Sequence, residues 1–444
     1  VSVTTAMGAA LRRIQLGNAL SAFGNGFTVP FLFVYVSQVR NLGASTAGIV
    51  LATFAVAALI VLPFVGRVID RRGPLPVAVV GTVSAAIGSM GLGLASSQSM
   101  VVAAAAALGA GIAVIQPSLA TMIVWCSTTA TRSRAFAMQF FLNNLGMGVG
   151  GLLGGQLVDT SDASSFVRLF AIESVMFLVL GAAVATVRLP KVPKVTDAVP
   201  TDPDAKGGWR TLAGDRAMVQ LSVLGFVMFF ACYGQFESGL AAFAVEVTRI
   251  SPATLGMALA ANTSAIVLAQ FVVLKLVERR RRSRVIALVG LIWTVAWVAA
   301  GVSGLVPGAH GVATALLIST YALFGIGESM LSPTMAPMVA DLAPARLVGQ
   351  YNSAFALVKQ LALAVGPAAG GLMAGAGMYV TYICLLIGCS LGISVLALRL
   401  GRQLTPAQEN PLAVRAQRSA PDVAPSAEVE AAEVEAVERV PVAA

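Results

Sequence analysis

Twelve stretches of this chain are each apolar over about the 20 residues that a helix needs to cross a bilayer. They run roughly over 14–37, 45–69, 75–95, 99–125, 134–157, 166–188, 217–245, 252–276, 285–305, 312–340, 348–375 and 378–400. No other feature limits the fold so strongly. In lipid every backbone polar group must be satisfied internally, so a chain patterned in this way becomes a bundle of helices. Composition agrees. Of 444 residues, 57% are hydrophobic and 11% charged, whereas a soluble protein carries about 25% charged residues. A core of this size could not hide so much apolar surface from water. The first apolar run is too long for a cleavable leader and reads as a spanning helix.

The longest polar break among these segments runs from Leu189 to Asp215 and is rich in Pro, Asp and Lys. It divides the segments six and six. The expected units are an N-terminal bundle (1–188), a cytoplasmic linker (189–216), a C-terminal bundle (217–400) and a tail (401–444). The tail holds Pro, Ala and Glu, including "AEVEAAEVEAVE", and is expected to be disordered and cytoplasmic. The two halves repeat. "GAGIAVIQPSLATMI" from Gly109 matches "GIGESMLSPTMAPMV" from Gly325, and Gly150 in "GMGVGGLLGG" pairs with Gly366 in "LALAVGPAAGG". Both matches share an offset of 216 residues. Parallel six-helix repeats with a site between them near the midplane are a design of secondary transporters. With the N-terminus inside, all 29 Lys and Arg fall on the cytoplasmic side except Arg40, Arg168, Arg249 and Lys359. That bias places both termini in the cytoplasm.

Several functions are disfavoured. No Lys is followed by Ser or Thr, so there is no G-x-x-x-x-G-K-[ST] nucleotide loop and an ion gradient is the simplest drive. The paired-Asp motif D-D-x-x-D of a prenyl-type transferase is missing, and no enzyme is expected. Cys126, Cys232, Cys384 and Cys389 lie in apolar runs without C-x-x-C, and His310 is the single His. No metal site or cofactor is expected. The net charge of +9 is spread in short clusters between apolar runs, which argues against a nucleic-acid partner.

Two motifs carry a family resemblance. "GRVIDRRG", Gly66 to Gly73, fits the loop signature Gly-x-x-x-Asp-Arg-x-Gly through Gly66, Asp70, Arg71 and Gly73, with Pro74 and Leu75 in place of the usual basic pair. "GMGVGGLLGG" from Gly146 fits G-x-x-x-G-P-x-x-G-G, with Gly151 where Pro is usual. Over about residues 10 to 400 the chain resembles major facilitator superfamily transporters, in particular the twelve-helix drug:proton antiporters. It departs from them in the fourth segment, where Ala105 and Leu108 stand in place of the Arg and Gln of Arg-x-x-Gln-Gly. The resemblance implies an all-α integral membrane protein with twelve helices in two pseudo-symmetric six-helix bundles. It implies proton-coupled efflux of small amphiphilic compounds across the inner membrane by alternating access, in a monomer whose partners are substrate, protons and lipid. Proton-coupled uptake by symport and a non-transporting membrane sensor are the alternatives.

Ionisable side chains inside a bilayer are costly and therefore functional candidates. Four occur: Glu173, Glu237, Glu328 and Lys359. In the family, helices 1, 4, 7 and 10 line the cavity and 5, 8 and 11 flank it. The resemblance thus turns Glu237, Glu328 and Lys359 inward and leaves Glu173 near the outer end of a lipid-facing helix. Desolvated carboxylates can exchange a proton under physiological conditions, so Glu237 and Glu328 are the expected proton or substrate groups. Lys359 is read as partner to one of them. Two carboxylates against one Lys lean toward cationic or neutral substrates.

Polar stripes mark the same faces. Asn18, Ser21, Asn25 and Thr28 share one side of the first segment, Gln139 and Asn143 lie one turn apart in the fifth, and Tyr321, Glu328 and Ser332 align in the tenth. Asn25, Asn143, Gln139 and Tyr321 are the expected uncharged site residues. Gly146, Gly150, Gly154 and Gly155, with Gly366 and Gly370, give flat faces for close helix approach. The resemblance gives "GRVIDRRG" a gating role, with Asp70 docking near Gly349 to Asn352 to close the cytoplasmic side. Its counterpart "ERRRRSR" from Glu278 keeps the positive charge without the glycines.

Overall fold

The structure, a computed structural model, describes residues 3–159, 161–190, 208–236, 238–306 and 308–410. The first half holds α1 (Val3–Thr28), α2 (Gly43–Arg72), α3 (Pro74–Leu94), α4 (Gln98–Trp125), α5 (Arg132–Leu157) and α6 (Ala163–Ala185). Short irregular helical turns carry α1 on to Val39. The second half holds α7 (Arg216–Ala231), α8 (Gly239–Glu246), α9 (Pro252–Val277), α10 (Arg282–Ser303) and α11 (His310–Leu331). It continues through α12 (Met335–Leu342), α13 (Val348–Gly375) and α14 (Tyr379–Gly401).

Among the described residues, ten helical stretches are long and apolar enough to cross a membrane. The two expected segments that fall short do so for different reasons. The first, α5, is one unbroken helix of 26 residues. Its Gln139, Asn143 and Asn144 dilute its apolar character. The other, expected over 217–245, is broken between α7 and α8. A broken helix strands carbonyls that lipid cannot hydrate. Gln235, fully buried, repairs the gap: its Nε2 donates to the Phe230 carbonyl at 2.9 Å and to that of Gly366 at 3.3 Å. Tyr382 holds it by donating to Oε1 at 3.0 Å.

Each half builds its own apolar core. Tyr35, Phe166, Phe170 and Phe177 are fully buried in the first, and Trp293, Trp297, Tyr321 and Phe324 in the second. The glycine faces work inside the halves. A side chain at Gly146 or Gly150 would strike the backbone of α1 at Ala19 or Phe23, and one at Gly154 would meet Phe27. Gly155 is more open, with only the Phe31 ring nearby. Gly366 lies against Gly234, and Gly370 against Gln235 and Gly239. These stripes bring helices of one half together; they do not face the other half.

The tail corrects one expectation. Disorder was expected from 401, yet residues 401–410 are docked. Pro406–Glu409 forms a short helix started by a Thr405–Gln408 capping box. Glu409 is buried and accepts a hydrogen bond from Ser283 Oγ at 3.0 Å. The apolar Leu404, 8% exposed, anchors the turn to the second core, which overrides the polar composition further on. Residues 411–444 and linker residues 191–207 lie outside the described residues.

Candidate functional site

One face of the molecule joins the two halves through polar contacts. Asp70, two residues from the end of α2, reaches the first turn of α13. Its Oδ1 accepts from the Gly349 amide at 2.7 Å, and its Oδ2 from the Gln350 amide and side chain, both at 3.0 Å. Free amides at a helix start favour a negative charge, so Asp70 caps a helix from the other half. The approach requires glycine. A Cβ on Gly66 would lie 2.6 Å from Gln350 Cα, and one on Gly349 would meet Ile69 and Asp70. Gly73 turns the chain at φ +86°. Arg71 sits in the last turn of α2, where its charge suits the helix end.

A second group of contacts was not foreseen from the sequence. Asp341, at the end of α12, bridges Arg132 of α5 and Arg282 of α10, the latter at 2.6 Å. All three side chains are at most 11% exposed. Arg282 is further held by the Gln408 carbonyl at 3.0 Å, so the docked tail supports the bridge. Glu278 binds Arg134 of α5 through two bonds of 3.2 Å. Arg134 and Gln350 are 216 residues apart, the spacing of the repeats, so the two loops grip equivalent helix starts. Inward of these, Ser353 donates to the Leu62 carbonyl, Ser332 to that of Phe136, and Asn352 to Thr121. Ala356 and Leu357 pack on Ala58, Leu62 and Ala113. Phe141 meets Phe271 at 5.0 Å, and Thr263 lies beside Gly148.

The two grips differ in strength. Asp70 makes three charge-assisted bonds, each on the order of 1.5–3 kcal/mol. Arg134 is 69% exposed, and such a pair is worth about 0.2–1 kcal/mol. Asp70→Asn turns one amide donor toward helix amides and is expected to lower transport about tenfold or more. Glu278→Gln should change it less than about fivefold. Initial rates in the same vesicle preparation compare them, and equal effects would refute the asymmetry.

About 15 Å along α13 from Gly349, at 1.5 Å per residue, lies Lys359. Its side chain is exposed although it stands in the middle of a 28-residue helix. Its Nζ lies 5.4 Å from the centre of the Phe229 ring. Glu328 of α11 is the reverse case, 3% exposed. Its Oε1 accepts from Asn262 Nδ2 at 2.9 Å, and Tyr233 also hydrogen-bonds to it. Asn262 donates in addition to the Tyr321 carbonyl at 3.2 Å. Tyr321 itself donates to the Phe236 carbonyl at 3.2 Å and stacks near Phe236. Tyr233 is in place because the chain breaks after α7. Asn262 and Tyr233, absent from the sequence-based candidates, complete the site. Glu237 lies outside the described residues.

The expected static pair is not present for Glu328. No ion pair joins it to Lys359 among the described residues. The carboxylate is satisfied by neutral donors, and the ammonium lies against an aromatic face. In the first half, Asn18 Nδ2 donates to Asn143 Oδ1 at 3.2 Å. Asn25 Oδ1 and Gln139 Oε1 are shielded from solvent without a hydrogen-bond partner. Buried orphan acceptors are rare and mark positions that a ligand or water can satisfy. Glu173 departs from expectation: it lies halfway along α6, 1% exposed, and faces protein. Its Oε2 accepts from Ser89 Oγ at 2.6 Å, and Thr28 at the end of α1 also bonds to it.

Two helical halves, joined at one face and holding charged groups halfway through the apolar layer, define a secondary transporter. Sequence comparison agrees. The Major Facilitator Superfamily model matches residues 14–251 and 238–430, and the chain belongs to that family. An uncharacterised MFS-type transporter of Bacillus subtilis, YqjV, is 22% identical over 391 residues, covering 86% of this chain and 92% of that protein. Multidrug resistance protein 1 of Bacillus subtilis is 27% identical over 172 residues, 37% of this chain and 44% of that protein. In fold, the chain matches the MFS transporter FucP in its outward conformation with a TM-score of 0.69 at 13% identity, covering 89% of this chain and 99% of that one. The protein is a multi-pass membrane transporter and not an enzyme.

Proposed function

We propose that this transporter exports small amphiphilic compounds from the cell by proton-coupled alternating access. The bundles 1–188 and 217–400 move as units about the linker 189–216, in a monomer of the inner membrane with both termini cytoplasmic. The observation that carries the reading is Glu328, a carboxyl enclosed halfway across the apolar layer beside the exposed Lys359. An acid there is costly and serves proton or ion traffic. The face closed by Asp70, Asp341 and Glu278 carries most of the arginines, and the positive-inside bias makes it cytoplasmic. The structure is then the outward-open state, with the central site facing out. Export is the direction suggested by the partial likeness to a multidrug resistance protein.

The test is accumulation of a compound panel in cells with and without the protein, with and without a proton uncoupler. Lower accumulation that the uncoupler restores is the expected result. Equal accumulation across the panel, or higher accumulation with the protein, would remove the export reading.

A further inference from the structure

We propose that the central site binds amphiphilic anions, a monoanionic head on a flat apolar body, with the head on Lys359. The inference rests on the transport reading for its context, though not on the direction of transport. Charge counting alone pointed to cations or neutral compounds, because the sequence sets two carboxylates against one ammonium. The structure separates Glu328 and Lys359 by access; Glu237 lies outside the described residues. Glu328 is closed in, and its oxygens are engaged by Asn262 and Tyr233, which are neutral. A ligand entering the site does not meet it first. Glu173 is enclosed by α1, α3 and α6, with Thr28 and Ser89 on it. Among the described residues, Lys359 is the exposed one of these three charged side chains.

A fixed cation in the apolar layer without an ion-pair partner among the described residues is expensive to keep. Its described surroundings include a ring face, Phe229, and the Glu328 carboxylate, which other groups hold. That ring belongs to an aromatic wall. Tyr233 lies 5.5 Å and Phe355 6.0 Å from it, and Tyr233 in turn lies 6.2 Å from Phe236. Flat apolar bodies settle on such walls through offset or edge contacts. An ammonium at one edge of an aromatic wall matches a ligand with an acidic head and an aromatic or fused-ring body. A cationic head would face Lys359 at close range and be repelled.

The experiment uses the full-length protein in lipid nanodiscs and a matched series: 2-naphthylacetate, 2-naphthylacetamide and 2-naphthylethylammonium. Calorimetry measures binding without any gradient, so it is independent of coupling and direction. The acetate is expected to bind about tenfold or more tighter than the ammonium compound, the amide falling between them. Lys359→Gln should erase the difference, and Lys359→Arg should keep it. Tighter binding of the ammonium compound, binding of none of the three, or an unchanged preference in folded Lys359→Gln overturns the proposal. Anion binding without uncoupler-sensitive transport would instead leave this site standing and remove the export reading.

Discussion

Asp341→Ala is expected to destabilise the protein by about 3–5 kcal/mol, the usual cost of removing one partner from a buried ion pair. The geometry explains the size. Asp341 is the carboxylate shared by Arg132 and Arg282, and its side chain is 6% exposed. Its removal leaves two buried guanidinium groups facing each other, with Arg282 keeping only the Gln408 carbonyl and a 3.4 Å contact to Ser133. Arg132→Gln should be milder, because Asp341 then keeps Arg282 within its own half. What Arg132→Gln loses is the bond across the halves, so it should favour opening of this face. Thermal inactivation in detergent reads the first effect. Labelling of a cysteine placed at Ser133 reads the second. Asp341→Ala with wild-type thermal stability would show that the triad does not hold the closed face together.

The helices were legible because lipid makes the rule simple: a run of about 20 apolar residues has no alternative to a helix. The break after α7 was not anticipated, although Gly234, Gln235, Glu237, Ser238 and Gly239 interrupt the apolar run where it falls. It is imposed by partners distant in sequence, Gly366 and Tyr382, acting on Gly234 and Gln235. The Asp70 contact could be anticipated because its glycines and acid form a compact motif that carries the family resemblance, and the resemblance implies the contact. The Arg132–Asp341–Arg282 triad could not, as Arg132 and Arg282 look like any topology-setting arginine and Asp341 like a loop acid. A signal did exist: the 216-residue spacing relates Arg134 to Gln350, and thus the start of α5 to that of α13. Lys359 was visible as an intramembrane charge, but sequence could not say whether Glu328 would pair with it. Asn262 and Tyr233 decided that by reaching the carboxylate first.

Glu328→Gln is expected to reduce proton-driven transport on the order of a hundredfold, the scale on which loss of a proton-transfer group acts. Gln has nearly the same shape and can still accept from Asn262, which lies 2.9 Å from Oε1 in the native site. The fold and the aromatic wall should therefore survive, and only the exchangeable proton is lost. Exchange of labelled for unlabelled substrate across vesicles with no gradient needs no net proton movement. It should stay within about fivefold of the native rate, since a neutral hydrogen bond altered here is worth about 1 kcal/mol. Loss of both activities would point to a structural acid. Native proton-driven rates in Glu328→Gln would pass the coupling role to Glu237, the remaining expected carboxylate. Native rates in Glu237→Gln as well would remove both from it and leave Glu173 as the remaining carboxyl within the spans. The ratio of driven transport to exchange is the informative quantity. It separates a group that moves a proton from one that only keeps Asn262 and Tyr233 in place.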